Sequence, residues 1–163
     1  MSQVSELRIS YRKENQKDFK FLVELYGTTR DDVAQFGSHL SRDERYNFIE
    51  SQFKLQCEHY AEKYKKAKYE IIRHEGRDIG RLITNNTKKS LHIIFFAIQP
   101  SARSKGIGKF IFSSLIERAK AEGKNVSIYV KTQNESAKAF YDKLGFVIKE
   151  GGTDFYDFME TKF

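Results

Sequence analysis

The chain contains one cysteine, one proline and no tryptophan, and each scarcity removes a class of protein. A single thiol, Cys57, excludes a disulfide framework and a four-thiolate zinc site. One proline, Pro100, and no low-complexity stretch leave no stiff or flexible linker to divide the chain. No run approaches the roughly 18 apolar residues of a membrane-spanning helix. The opening Met1-Ser2-Gln3-Val4-Ser5-Glu6 lacks the pattern of a secretory leader. A soluble, cytoplasmic protein without a membrane partner is therefore expected. The four histidines, His39, His59, His74 and His92, show no metal-ligand spacing, so no metal is expected either.

What is present points to one globular domain over residues 1–163. Hydrophobic residues make up 39% and charged residues 31%, which is enough apolar material for a core. Fourteen Phe and nine Tyr supply its bulk. The net charge of +7 is concentrated: between Asn85 and Lys131 nine Lys or Arg face only Glu117 and Glu122, so this segment carries the whole excess. Such a concentration fits a compact polyanion at one site better than a long basic stripe. Lys88, Lys89, Lys120 and Lys124 also suit an ordinary solvated face.

The hydrophobic pattern sets the element order. Leu7 to Tyr11 alternates and reads as a short strand. A helix follows from about Lys17, with Phe19, Leu22, Val23 and Tyr26 on one face and Gly27 at its end. Residues 28–40 are weakly patterned and read as a loop with a short second helix. Ser41-Arg42-Asp43-Glu44 is a capping box. Tyr46, Ile49, Phe53, Cys57, Tyr60 and Tyr64 then step by three and four, which marks a long helix and places Cys57 in the core. Beyond it the period changes to that of strands. Lys68 to His74 and Ile79 to Thr84 flank the turn Glu75-Gly76-Arg77-Asp78 as a hairpin. Leu91 to Ile98 is apolar on both faces and belongs in the middle of a sheet. A helix over about 108–122, a strand over 126–131 and a helix over 135–144 follow, with Asn134 as the cap of the last. Strands at 146–149 and 155–161 close the chain. The expected fold is a mixed α/β sheet in the order βααβββαβαββ, with helices on both faces.

Two stretches carry chemistry. Gln99 to Lys109 leaves a buried strand and opens an amphipathic helix. Its glycines, Gly106 and Gly108, let backbone approach a ligand, and a helix start offers N–H groups and a positive dipole end. Arg103, Lys105 and Lys109 reinforce this anion site. The stretch is not a P-loop, because Phe110 stands where Ser or Thr is required. It is not a dinucleotide fingerprint, because Ile111 stands where the third glycine belongs. The second stretch, Asn134 to Phe146, is a capped helix ended by Gly145. The spacing between the two leaves room for one helix and one strand, so both would follow neighbouring parallel strands and open at one edge of the sheet.

These residues resemble the GNAT N-acetyltransferases, which use acetyl-CoA. Arg103-Ser104-Lys105-Gly106-Ile107-Gly108 is similar to the family's R/Q-x-x-G-x-G/A pyrophosphate loop. Asn134, Ala137, Phe140, Tyr141, Gly145 and Phe146 are similar to its N-x-x-A-x-x-[LF]-Y-x-x-x-G-F segment. The close resemblance covers about Leu91 to Phe146, and the first ninety residues match only in the order of elements. It implies that backbone N–H groups from Ser104 through Ile107 to Gly108 hold the pyrophosphate of acetyl-CoA, with charge from Arg103 and Lys105. It implies that the main chain of Ala97 and Ile98, where the family's sheet splays, and the side chain of Asn134 bind the pantetheine arm. Tyr141 would protonate the leaving CoA thiolate. An ordinary thiol titrates near ~8.5 and a phenol near ~10, so a small perturbation would make the phenol a usable donor.

One departure concerns the base. Many relatives carry an acid on the strand before the loop, whereas Leu91 to Ile98 holds only His92 as a titratable residue. Asp31 and Asp32, in the region where relatives bind the acceptor, are alternatives, and the base is left open. The expected activity is transfer of acetyl from acetyl-CoA to an acceptor amine. A CoA-binding sensor without transfer is the alternative, and nucleic acid is not the expected partner. The acceptor stays open, and so does assembly, a homodimer included. Lys63-Tyr64-Lys65-Lys66-Ala67-Lys68-Tyr69 mixes basic and aromatic residues, but at a helix end lysines complement the dipole without any ligand.

Overall fold

The structure, a computed structural model, describes residues 7–162. The leader-free reading of Met1–Glu6 therefore lies outside the described residues. Seven strands are hydrogen-bonded in the order β1-β2-β3-β4-β5-β7-β6. They are β1 Ile9–Lys13, β2 Lys68–His74, β3 Arg77–Asn86, β4 Ser90–Ile98, β5 Asn125–Lys131, β6 Phe146–Lys149 and β7 Tyr156–Thr161. Between them run α1 Phe19–Gly27, α2 Asp31–Phe36, α3 Arg42–Lys63, α4 Ile107–Ala121 and α5 Glu135–Lys143. The short α2 lies inside the weakly patterned stretch, so three helices stand between β1 and β2 where the expected order had two, and β4 stands fourth of seven, where its two apolar faces require it to be. The described chain forms two compact units, one of residues 8–82 and 96–103, the other of 83–95 and 104 onward.

In the first unit, Ser41 accepts from the Glu44 N–H at 3.1 Å while the Glu44 carboxylate accepts from the Ser41 N–H at 2.9 Å. This starts α3 at Arg42 with two of its otherwise orphaned donors satisfied. Phe53 of α3 packs against Phe19 and Tyr26, with ring centroids 5.9 and 5.8 Å away. Only Ile49 and Phe53 of the long α3 stripe are buried, and Cys57, expected in the core, is half-buried. The hairpin between β2 and β3 turns at Glu75 and Gly76, both at positive φ, the pairing of signs that suits a two-residue turn. Gly80 is required by a close approach: a Cβ there would collide with the carbonyl oxygen of Ala97.

In the second unit, α4 buries Ile107, Ile111, Phe112, Leu115 and Ala119. The same core holds Val126, Ile128, Phe146 and Met159. Strands β4 and β5 are parallel, paired from Ser90↔Asn125 to Ile93↔Ile128. β7 lies antiparallel to both β5 and β6. Since α4 follows β4 and α5 follows β5, both helices start beyond the carboxyl ends of a parallel pair, where open α/β sheets place their ligands.

Candidate active site

The chain leaves β4 at Ile98, makes one 3-10 turn over Pro100–Ala102, and enters α4 through two residues at positive φ, Ser104 at 62° and Gly106 at 78°. Nothing lies within 4 Å of a Cβ built on Gly106, so it is the left-handed backbone that favours glycine there and not a lack of space. Gly106 is the N-cap, and it offers no side chain to the first-turn N–H groups. The first turn of α4 carries no acid. Lys105 and Lys109 are exposed beside it. Uncapped donors, a positive dipole end and two cations are the features with which a helix start could hold a phosphate-bearing ligand.

Arg103 does not point its charge freely. Its Nε donates to the Ile98 carbonyl at 2.9 Å, and Nη2 donates to Thr28 Oγ1 at 3.3 Å. The expectation of a cation on the pyrophosphate thus meets an arginine that braces the end of β4. Ala97 and Ile98 are buried. The described pairing of β4 with β5 ends at Ile93, while β4 itself continues to Ile98.

Tyr141 sits on α5 in an aromatic nest. Its ring centroid lies 5.2 Å from Phe112, 5.3 Å from Phe140 and 5.5 Å from Phe146. Burial among these rings pushes the phenol pKa up to about 12. Phe112 belongs to α4, about one and a half turns past its start, so the contact sets Tyr141 beside the first turns of that helix. Asn134 caps α5: Oδ1 accepts from the Ala137 N–H and from the Ser136 hydroxyl, each at 3.1 Å. The amide nitrogen is the half of that side chain the cap does not use.

The three groups considered for the base lie in different settings. His92 is buried near the amino end of β4, with Nδ1 2.8 Å from Ser127 Oγ and its ring 5.5 Å from Tyr129. Asp32 is gripped by Arg30, whose Nε and Nη2 donate to its two oxygens at 2.8 and 2.7 Å. That grip draws the Asp32 pKa down to about 2. Asp31 lies beside it in the first turn of α2. Arg30 also donates to Tyr26 Oη at 2.8 Å. Neither Arg30 nor Thr28 was marked by the sequence, although both stand in the polar run Thr28-Thr29-Arg30-Asp31-Asp32. Their partners, Tyr26 and Arg103, become visible only in the fold. Among the described residues, no group of three His, Cys, Asp or Glu side chains could hold a metal ion. No described helix is long and apolar enough to cross a membrane.

Residues 33–146 match the family model described as the acetyltransferase (GNAT) family. The chain is 30% identical over 87 residues to a 5-NmdU N-acetyltransferase of Pseudomonas phage PaMx11, a similarity covering 52% of this chain and 61% of that protein. It is 39% identical over 61 residues to an uncharacterized N-acetyltransferase of Methanocaldococcus jannaschii, over 37% of this chain and 26% of that one. The chain therefore spans less than two thirds of the curated relatives it matches. Among solved structures, PaiA N-acetyltransferase from Thermoplasma acidophilum in complex with coenzyme A superposes with a TM-score of 0.66 at 21% identity. That likeness covers 95% of this chain and 99% of the other, and it shows a shared fold.

Proposed function

The chain belongs to the GNAT acetyltransferase family, and from that premise we propose that residues 1–163 act as one domain that moves the acetyl group of acetyl-CoA to an acceptor amine. Acetyl-CoA supplies the activated thioester. The N–H groups at the start of α4, with Lys105 and Lys109, hold the pyrophosphate. The amide of Asn134 and the main chain at Ala97 and Ile98 orient the pantetheine arm. Tyr141 Oη gives its proton to the thiolate sulfur as the amine replaces it at the acetyl carbon. The observation that carries this reading is the packing of Tyr141 on Phe112 of α4 at 5.2 Å, which ties the proton donor to the helix that offers the anion site.

Proton removal from the amine is assigned to ordered water. Asp32, with a pKa near 2 under its bonds from Arg30, holds a proton too weakly to draw one from an ammonium. His92 lies six residues before Ile98, about 20 Å along a strand that rises about 3.3 Å per residue. Its bond to Ser127 and its aromatic neighbours support a structural role instead.

The test is release of free thiol from acetyl-CoA with a panel of primary amines, including polyamines, lysine-containing peptides and 5-NmdU, the compound in the phage relative's name. At least one amine should give saturable, amine-dependent thiol release. If acetyl-CoA stabilises the protein against heat yet no amine is acetylated, the CoA sensor is the correct reading.

A further inference from the structure

The unit of residues 8–82 and 96–103 holds a cavity of about 710 Å³. It opens between the end of β1, the last turns of α3, the start of β2 and Arg81 of β3. Its size falls within the range of about 300–1,000 Å³ usual for small-molecule sites. None of its lining residues has a part in the acetyl-transfer reading, and the basic–aromatic stretch after α3 contributes much of its wall.

The walls are apolar and the floor is charged. Cys57, Ala61, Ala67 and the ring of Tyr69 form the walls. The floor is Arg81, only 3% exposed, whose Nε and Nη2 donate to the two oxygens of Glu14 at 2.9 and 2.8 Å. Its guanidinium lies 5.3 Å from the centroid of Phe53 and 5.7 Å from that of Tyr69. Glu14 is thus engaged. The other lining carboxylate, Glu70, faces Lys68 at 3.6 Å. Lys13 and Lys66 complete the charged lining, and both are exposed. Four cations against two carboxylates leave the cavity positive.

We propose that this cavity binds an organic anion with an apolar body, its rings or short chain against Ala61, Ala67 and Tyr69 and its carboxylate or sulfonate toward Lys13 and Lys66. A neutral apolar molecule would gain the walls but not the charge. A cation would meet repulsion from both lysines. Inorganic phosphate would gain the charge and none of the walls. The site is independent of acetyl transfer.

Cys57 is the sole cysteine of the chain, and its place in the wall makes it a reporter. The probes are 1-anilinonaphthalene-8-sulfonate and N-phenyl-1-naphthylamine, which has the same rings without the sulfonate. The sulfonate should bind saturably at one site, slow iodoacetamide alkylation of Cys57, and bind about tenfold more tightly than the neutral compound, a difference of about 1.4 kcal/mol. Saturating acetyl-CoA should not displace it. The double variant Lys13→Gln/Lys66→Gln changes only exposed side chains, so its fold is secure. It should lose most of the preference for the anion and keep binding of the neutral compound. Ala61→Trp should block both probes. Equal binding of the two probes, an unchanged Cys57 alkylation rate, or displacement by acetyl-CoA would overturn the proposal. None of these readouts depends on acetyl transfer, so a failure here is separate from a failure of that activity.

Discussion

Tyr141 shows what a residue's surroundings add to its identity. Its place in the N-x-x-A-x-x-F-Y pattern was legible in the sequence, but the nest formed by Phe112, Phe140 and Phe146 was not, because Phe112 comes from a different helix. The small perturbation expected of the phenol is in fact a rise to about 12. Against an ordinary thiol near ~8.5 that gap would oppose transfer by about 5 kcal/mol. The opposition shrinks if the thiolate is released beside the same rings, since burial disfavours any anion and raises the thiol too. Two outcomes are expected. Tyr141→Phe should lower kcat by about 10²–10⁴-fold with little change in acetyl-CoA affinity. In the unaltered enzyme kcat/KM should climb with pH as the amine loses its proton, and show no alkaline limb from Tyr141 below about pH 11. A limb near pH 9–10 that vanishes in Tyr141→Phe would contradict the pKa the aromatic nest imposes. Asp32→Asn, by contrast, removes a carboxylate that stays charged down to about pH 2 and, on the proposed water route for the amine proton, should cost less than about tenfold in kcat/KM.

At the scale of elements the sequence was most informative where local rules act alone. The capping box of α3, the hairpin turn before β3 and the cap of α5 all depend on residues within one turn of each other. It was less informative where a partner surface decides. The six-residue stripe of α3 fixed a face, yet only Ile49 and Phe53 are buried. The stripe says which side turns inward, not how far the opposing surface extends, and past Phe53 that surface gives way to the cavity. α2 was indistinct because six residues are too few to show a period. Two substitutions separate stability from function at this scale. Ser41→Ala should destabilise the fold by about 1 kcal/mol through loss of the cap, lowering Tm by roughly 2–4 °C, with KM for acetyl-CoA unchanged. Gly106→Val forces a β-branched residue to φ 78°, a strain of about 1–3 kcal/mol, and shifts the backbone donors at the start of α4. It should lose the melting shift of roughly 5 °C expected of the unaltered protein with saturating acetyl-CoA. Retention of that shift would exclude the loop as the pyrophosphate site.

For the whole molecule the open question is what the charge of +7 does. In sequence, nine cations between Asn85 and Lys131 looked like one concentration. The fold spreads them. Lys105 and Lys109 stand at the start of α4, while Arg118 and Lys120 lie in its last turn, about 16–20 Å from the helix's first residue at 1.5 Å per residue. Lys124 is bonded to Asn86 at 2.8 Å and lies 3.7 Å from Glu122. Lys88 and Lys89 are exposed in the turn between β3 and β4. Lys88, Lys89, Arg118, Lys120 and Lys124 therefore sit beyond a Debye length of about 8–10 Å from the start of α4, where they can steer a ligand at low salt but not hold it. Raising salt from about 0.05 to 0.5 M should weaken acetyl-CoA binding only several-fold, unlike the loss of about 10³ or more expected of a protein that grips many phosphates of a polynucleotide. Lys105→Gln/Lys109→Gln should remove most of that salt dependence, because these two cations stand nearest the donors. Lys120→Gln, at the far end of the same helix, is the control and should leave the salt dependence as it is. If Lys120→Gln flattens it as much as the loop pair does, the charge acts as a distributed field and the anion site at α4 is not its focus.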